Sequence, residues 1–379
     1  MNPAVQKTLS LILLIFIGVL LKQKIVGKEQ LGGVKVLILS IALPATIFVA
    51  LLKTEVELAL LSLPLLALAF NLLLLVAARY TLPLFRIKSK SADGRTLLML
   101  LPSLAPGLSC FPFVAEYLGE EALAFAALAD VGNKVFVLII LYLLAMHWYY
   151  KVQGGSSQSN KGKLKGLLLS LVKEPVNLVI VLAIVMLAFG WNIASLPLFL
   201  QDAVLRMSAL MTPMVLLFIG MAVKTNWKEF RLIFSLLLWR SGAAFCLSAI
   251  FLFILPQLAP AAALVAVAFP QSATSFWPFA HMSSVAGLEQ ISGNTKAHTF
   301  NLDLALNVLA CSLPFSTVLI LTICSIGNFF TNPIYLLGIG GAMLAVGVLP
   351  KLLFRKQAVA KKEAPVVVSV QQLAEVGDD

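Results

Sequence analysis

Asp130, Asn133 and Lys134 stand inside an apolar run, at spacings of i, i+3 and i, i+4 that place them on one face of a helix. A carboxylate and an ammonium in hydrocarbon are costly, so their presence points to handling of an ion or a charged substrate. The same spacing also fits a salt bridge that only neutralises itself between helices. A second set, Asn301, Asp303 and Asn307, repeats the i, i+4 spacing between Asp303 and Asn307. Arg240 lies ten residues (240 − 230) into an apolar run that opens at Phe230, too deep for comfortable snorkelling. It requires a partner: a backbone carbonyl, Asp130, Asp303, or an anionic substrate whose charge it balances. Asp130, Asp303 and His281 are groups able to carry protons, although a lone histidine near the end of a span is more often a bystander.

Two interrupted apolar stretches must position these side chains. Leu101 to Asn133 is broken by Pro102, Pro106, Gly107 and Pro112, and Pro270 to Asn307 carries a similar break. Ser109, Phe111, Pro112 and Phe113 are answered by Ser275, Trp277, Pro278 and Phe279 at one offset (277 − 111 = 166). Backbone N–H and C=O groups freed by proline are tolerable in a membrane only where protein or a water-filled cavity covers them. The half-helix N-termini there present unpaired N–H groups and positive dipole ends, which suit anions. Ser109, Phe111, Pro112, Phe113, Gln271, Thr274, Ser275, Trp277 and Pro278 are therefore the candidate substrate-binding residues. Asp130, Asn133, Lys134, Arg240, Asp303 and Asn307 form the candidate supporting and coupling set. The plainer alternative is that the prolines only bend packed helices.

The chain has 379 residues, 60% hydrophobic and 12% charged, with a mean hydropathy of +0.98. Those values exclude a soluble domain and indicate an all-α polytopic membrane protein. Apolar runs long enough to cross a bilayer begin near Leu9, Leu31, Leu58, Thr96, Ala122, Val172, Val204, Phe230, Ala261, Thr299 and Pro333. The net charge of +11 sits in short loops and not on one basic face, which argues against nucleic acid. Taken alternately, one set of loops holds nearly all the Lys and Arg, while the other holds little beyond Lys7, Lys53 and Arg206. The positive-inside rule then places the N-terminus outside and the C-terminus in the cytoplasm, in the plasma membrane or, for a bacterium, the inner membrane.

The expected organisation is a five-span repeat over 1–150, a flexible cytoplasmic linker over 151–171 and a second five-span repeat over 172–326. An extra span over 333–354, which looks peripheral, and a disordered cytoplasmic tail over 355–379 complete it. Five is odd, so the second repeat enters from the opposite side and the repeats are inverted, with spans 4 and 9 broken. Asn71 is, apart from Ser62, the only polar side chain of the very hydrophobic third span, and an amide there usually bonds a neighbouring helix.

The four cysteines fall within apolar spans and show neither disulfide nor metal spacing. No phosphate-binding loop, nucleophile elbow, zinc pattern or dinucleotide fingerprint is present, so neither an enzyme nor an ATP-driven pump has support, and no cofactor or metal is expected. Secondary transport remains, coupled to H+ or to Na+. The expected partners are a small anionic molecule, the lipid bilayer and, as a homodimer, a second copy of the chain.

Ala42-Leu43-Pro44-Ala45-Thr46-Ile47-Phe48, Gly119-Glu120-Glu121-Ala122-Leu123 running to Asp130-Val131-Gly132-Asn133, and Pro213 with Ile219-Gly220 resemble the auxin efflux carrier family. That family belongs to the bile/arsenite/riboflavin transporter superfamily, and the resemblance spans about Leu9 to Ile326. It implies ten spans in two inverted repeats, crossed broken helices, an elevator-like cycle, and substrates such as auxin or small carboxylates including malate and malonate. Where the family often shows Asn-Thr-Gly before the first crossover proline, this chain has Ala105-Pro106-Gly107, and Thr274 stands where a second asparagine is common. A sodium-coupled carrier of the bile-acid type and a membrane sensor or scaffold that has lost transport are the alternatives.

Overall fold

The computed structural model describes residues 3–24, 28–53, 62–153, 175–222, 230–291 and 298–363. Every regular element among them is helical, and the protein is a polytopic membrane protein. Six helical segments are long and apolar enough to cross a bilayer: Gln30–Leu52, Leu63–Phe85, Phe111–Val152, Leu198–Met221, Arg231–Ile254 and Leu302–Thr331. Leu9–Leu21, Pro175–Ala188, Pro260–Gln271 and Pro333–Val348 are shorter apolar helices.

The first part of the chain forms α1 (Pro3–Leu21), α2 (Lys28–Leu37), α3 (Leu43–Leu52), α4 (Leu63–Thr81), α5 (Ala92–Leu100), α6 (Pro106–Ser109), α7 (Phe111–Val135) and α8 (Leu141–Gln153). A π-turn over Ile38–Ala42 joins α2 to α3, so that Pro44 falls in the first turn of a new helix, where its missing N–H is not needed. The Thr46 hydroxyl donates to the Ala42 carbonyl at 2.7 Å. The kink that a helix-interior proline imposes is therefore distributed over a widened turn. A second π-turn, Phe136–Ile140, joins α7 to α8. Gly119 inside α7 has φ 87° and turns the chain there, joining the end of the fourth expected span to the fifth. Glu120 pairs with Lys53 at 2.8 Å just beyond that turn.

The second part forms α9 (Pro175–Ala188), α10 (Leu198–Ala209), α11 (Met211–Ala222), α12 (Phe230–Ile254), α13 (Pro260–Ala268), α14 (Trp277–Ile291), α15 (Leu302–Ile326) and α16 (Pro333–Glu363). Helix α10 starts earlier than the Val204 expected from hydropathy, because Asp202 and Arg206 neutralise each other one turn apart, at 2.8 Å, and do not end the helix. Residues 151–153 of the expected linker belong to α8, and 154–174 lie outside the described residues. Helix α16 continues past Phe354 to Glu363, and 364–379 lies outside the described residues.

Packing divides the helices into two sets. α1 lies on α11, and α9 and α10 lie on α3. In the other set α4 packs on α7, and α12 on α13, α15 and α16. Glycines permit the closest approaches: a Cβ on Gly18 would stand 2.3 Å from the Leu217 carbonyl oxygen, and one on Gly220 would stand 2.1 Å from that of Ile15. The last helix is no peripheral addition, since Gly340 and Gly242 face each other across the α12–α16 contact and the Ser235 hydroxyl donates to the Gly347 carbonyl.

Candidate functional site

The two breaks occupy residues 101–110 and 269–276, between α5 and α7 and between α13 and α14. α5 and α13 begin 168 residues apart (260 − 92), whereas α7 and α14 begin 166 apart (277 − 111). The first break is thus two residues longer and holds the short turn α6, which Pro106 opens. The breaks touch as an isolated antiparallel bridge, with the Ala105 N–H donating to the Ala273 carbonyl at 2.8 Å.

Side chains satisfy the backbone that the prolines release, as burial away from water requires. The Asn133 amide pairs with both groups of Leu104, accepting from its N–H at 3.3 Å and donating to its carbonyl at 2.9 Å. It also donates to Asp130 Oδ1 at 2.8 Å and accepts from Asn71 Nδ2 at 3.0 Å, so both of its donors and both acceptor positions are used. In the second break the Ser312 hydroxyl accepts from the Thr274 N–H at 3.3 Å, meets the Thr274 hydroxyl at 2.7 Å and donates to the Leu309 carbonyl. Helices α7 and α15 therefore each hold one break through one polar side chain.

Hydroxyls also reach across the crossing. Ser109 donates to the Ala105 carbonyl at 2.8 Å and accepts from the Ala273 N–H at 2.9 Å. Ser103 donates to the Leu100 carbonyl and accepts from the Ser275 N–H at 3.0 Å. Beneath them Arg240 is fully buried. Its Nε donates to the Leu101 carbonyl at 2.8 Å, and its Nη2 to those of Ser103 at 3.2 Å and Ser272 at 2.7 Å. Neither Asp130 nor Asp303 forms an ion pair with it: the partners are carbonyls.

On one side of the crossing lies a cavity of about 350 Å³. Residues 104–108 and 273–276 of the breaks and Trp277 of α14 form one wall with Asp130, Asn133, Lys134 and Ser312, and Leu43, Val176 and Phe218 of the other helix set face them. Lys134 Nζ is 3.4 Å from Asp130 Oδ2 and donates to Asn177 Oδ1 at 3.3 Å, which ties α7 to α9. Lys35 stands over the Phe276 ring, 4.7 Å from its centroid. Phe276 and Trp277 are both exposed and mark the mouth. The lining thus carries two ammonium groups and one carboxylate, with broken backbone from both stretches and an apolar wall.

Of the substrate-binding residues read from the sequence, Thr274, Ser275 and Trp277 line this cavity. Ser109 works inside the crossing, while Phe111 and Phe113 are fully buried in the core and Pro112 sits in the first turn of α7. Pro278 is buried, and Gln271 donates to the Ser241 carbonyl at 3.2 Å, away from the lining. Of the supporting set, Asp130, Asn133 and Lys134 converge on the cavity and Arg240 underlies it. Asp303 is exposed in the first turn of α15, where Asn301 caps the helix, and Asn307 lies one turn on, so neither lines the cavity. His281 is buried, donating to the Val137 carbonyl at 2.9 Å and meeting Tyr142 edge-on.

Lys35, Ser312 and Asn177 belong to the site and were not singled out from the sequence. In the sequence Lys35 is one of many basic residues near span ends and carries no signal of its own. Ser312 is a lone serine in an apolar helix and gives no signal, because Ser side chains in membrane helices commonly bond their own backbone.

No protein-family model matches the chain. An uncharacterized transporter of Methanocaldococcus jannaschii is 27% identical over 228 residues, covering 58% of this chain and 70% of that protein. With the helical membrane fold, that similarity supports a transporter.

Proposed function

We propose that the chain is a secondary transporter of a small organic anion, of the auxin efflux carrier type, that binds its substrate in the cavity beside the crossed breaks. One observation carries the reading: the cavity's lining holds Lys35, Lys134 and the broken backbone against a single carboxylate, Asp130, already engaged by Asn133 and Lys134. The balance favours one negative charge. The apolar wall of Leu43, Val176 and Phe218 suits a carboxylate with an apolar body.

The similarity of the two breaks supports inverted repeats, and the cavity's place between two helix sets supports an elevator-like cycle in which one set moves against the other. Asp130 is the group best placed to couple the cycle to a proton. Lys22, Lys24 and Lys28 stand at the end from which α2 enters, and Lys35, about two turns on, lines the cavity, which supports an opening toward the cytoplasm in this conformation.

Binding tests the proposal directly. Purified protein is titrated with malate, malonate, pyruvate and indole-3-acetate, each beside its uncharged amide, and the unfolding midpoint is followed. A saturable rise with one carboxylate, absent for its amide, is expected. Equal responses to acid and amide would remove the charge argument, and a flat response to all four would leave the cavity without an anionic ligand of this class.

A further inference from the structure

We infer that the Arg240 guanidinium is a tethered substitute for a bound metal cation at the crossing of the two breaks. Three carbonyl oxygens converge on it: those of Leu101 and Ser103 from the first break and that of Ser272 from the second. Leu101 directly follows the C-terminal end of α5, and Ser272 follows the last turn after α13. Two half-helix C-termini, each a negative dipole end, therefore face one positive group. In carriers built from discontinuous helices, unwound carbonyls and half-helix C-termini of this kind coordinate Na+. Here the same set of ligands is filled by a side chain of α12.

The chemistry of the group fits that role. A guanidinium stays charged and offers five donors in a planar fork, so it can collect carbonyls from two separate segments. Among the described residues no carboxylate forms an ion pair with it, and its charge is met by backbone dipoles, as a bound monovalent cation's would be. The charge is also permanent. It holds the breaks together through the whole cycle and repels a second cation from the same carbonyls, so the crossing itself carries no Na+ dependence. That consequence for coupling rests on the carrier reading above, whereas the substitution for a cation does not.

The test follows the unfolding midpoint of purified full-length protein in choline chloride, NaCl and KCl at one ionic strength, with and without millimolar methylguanidinium. The wild type is expected to unfold at the same temperature in all three salts and to ignore methylguanidinium. Arg240→Ala should unfold roughly 5–10 °C lower in choline chloride, as expected for a buried network that loses its centre. Methylguanidinium or Na+ should raise it saturably. Arg240→Lys, which keeps the charge, should fall less and show no response to Na+. If Arg240→Ala cannot be purified, Arg240→Gln supplies the neutral variant.

A saturable Na+ response in the wild type would overturn the inference, because the crossing would then hold a metal of its own. A neutral variant indifferent to every cation would overturn it too, leaving Arg240 as a hydrogen-bonding strut. Both readouts are independent of transport, so a protein that carries none of the tested anions still decides the question.

Discussion

Asn133 shapes the first break because its amide imitates a strand, pairing with both the N–H and the carbonyl of Leu104 while Asp130 and Asn71 occupy its remaining positions. Asn133→Leu keeps the branched outline of the side chain, strands both Leu104 groups and the Asn71 amide, and leaves Asp130 with Lys134 alone; each buried group left without a bond costs about 1–3 kcal/mol. The variant should lose about 3 kcal/mol or more of stability, read from its unfolding midpoint. Asn71→Leu removes one bond and should cost less, and the double variant should fall short of the sum, since both residues share one network. A purely additive pair would contradict the shared network. Lys35 presents the opposite case: its ammonium rests on the exposed Phe276 ring at the edge of the second break and bonds none of the backbone groups that the breaks release. Lys35→Gln should leave the unfolding midpoint nearly unchanged and weaken binding of the anionic ligand about tenfold, a loss near 1.4 kcal/mol. Unchanged affinity in that variant would make Lys35 a topogenic charge only.

The helices reach these positions through close approaches that only glycine permits. A Cβ on Gly132 would lie 1.8 Å from the Pro64 carbonyl oxygen, at the crossing of α7 over α4. Gly132→Ala must therefore push α4 away from the Asn71–Asn133 bond, and loss of folded protein or a fall of several degrees in the midpoint is expected. Gly119 has φ 87° and ψ −176°, a conformation essentially reserved for glycine, but nothing lies within 4 Å of its Cβ position, so Gly119→Ala should cost about 1–3 kcal/mol of backbone strain without displacing a neighbouring helix. An unchanged midpoint in Gly132→Ala would mean that the α4–α7 contact is not tight. Much of this layer is legible in the sequence: prolines mark both breaks, and Asp130, Asn133 and Lys134 announce themselves as polar residues at helical spacing in an apolar run. The facing of individual break residues is not legible. Ser109 and Thr274 differ in role because one points into the crossing and the other toward the cavity, which depends on how two irregular segments meet. The two-residue difference between the breaks and the π-turns at Ile38–Ala42 and Phe136–Ile140 likewise follow from tertiary packing, with no local signal beyond Pro44.

At the scale of the molecule, two sets of helices meet along the cavity, and the Lys53–Glu120 pair links α3 of one set to α7 of the other at a distance from it. If the sets move against each other, joining Lys53→Cys to Glu120→Cys with a short bis-maleimide should stop transport, while each single variant treated alike should keep it. Full transport by the cross-linked protein would contradict relative motion at this contact. On the proposed function, the cavity beside the crossed breaks carries an anion through the membrane. The most direct measurement is uptake of radiolabelled malate, malonate, pyruvate and indole-3-acetate into proteoliposomes, with proton and sodium gradients imposed in turn. Saturable uptake of at least one of them is expected, independent of sodium and reduced about tenfold or more by Lys35→Gln at subsaturating substrate. Uptake of all four at the level of protein-free vesicles, by protein that remains folded, would contradict it.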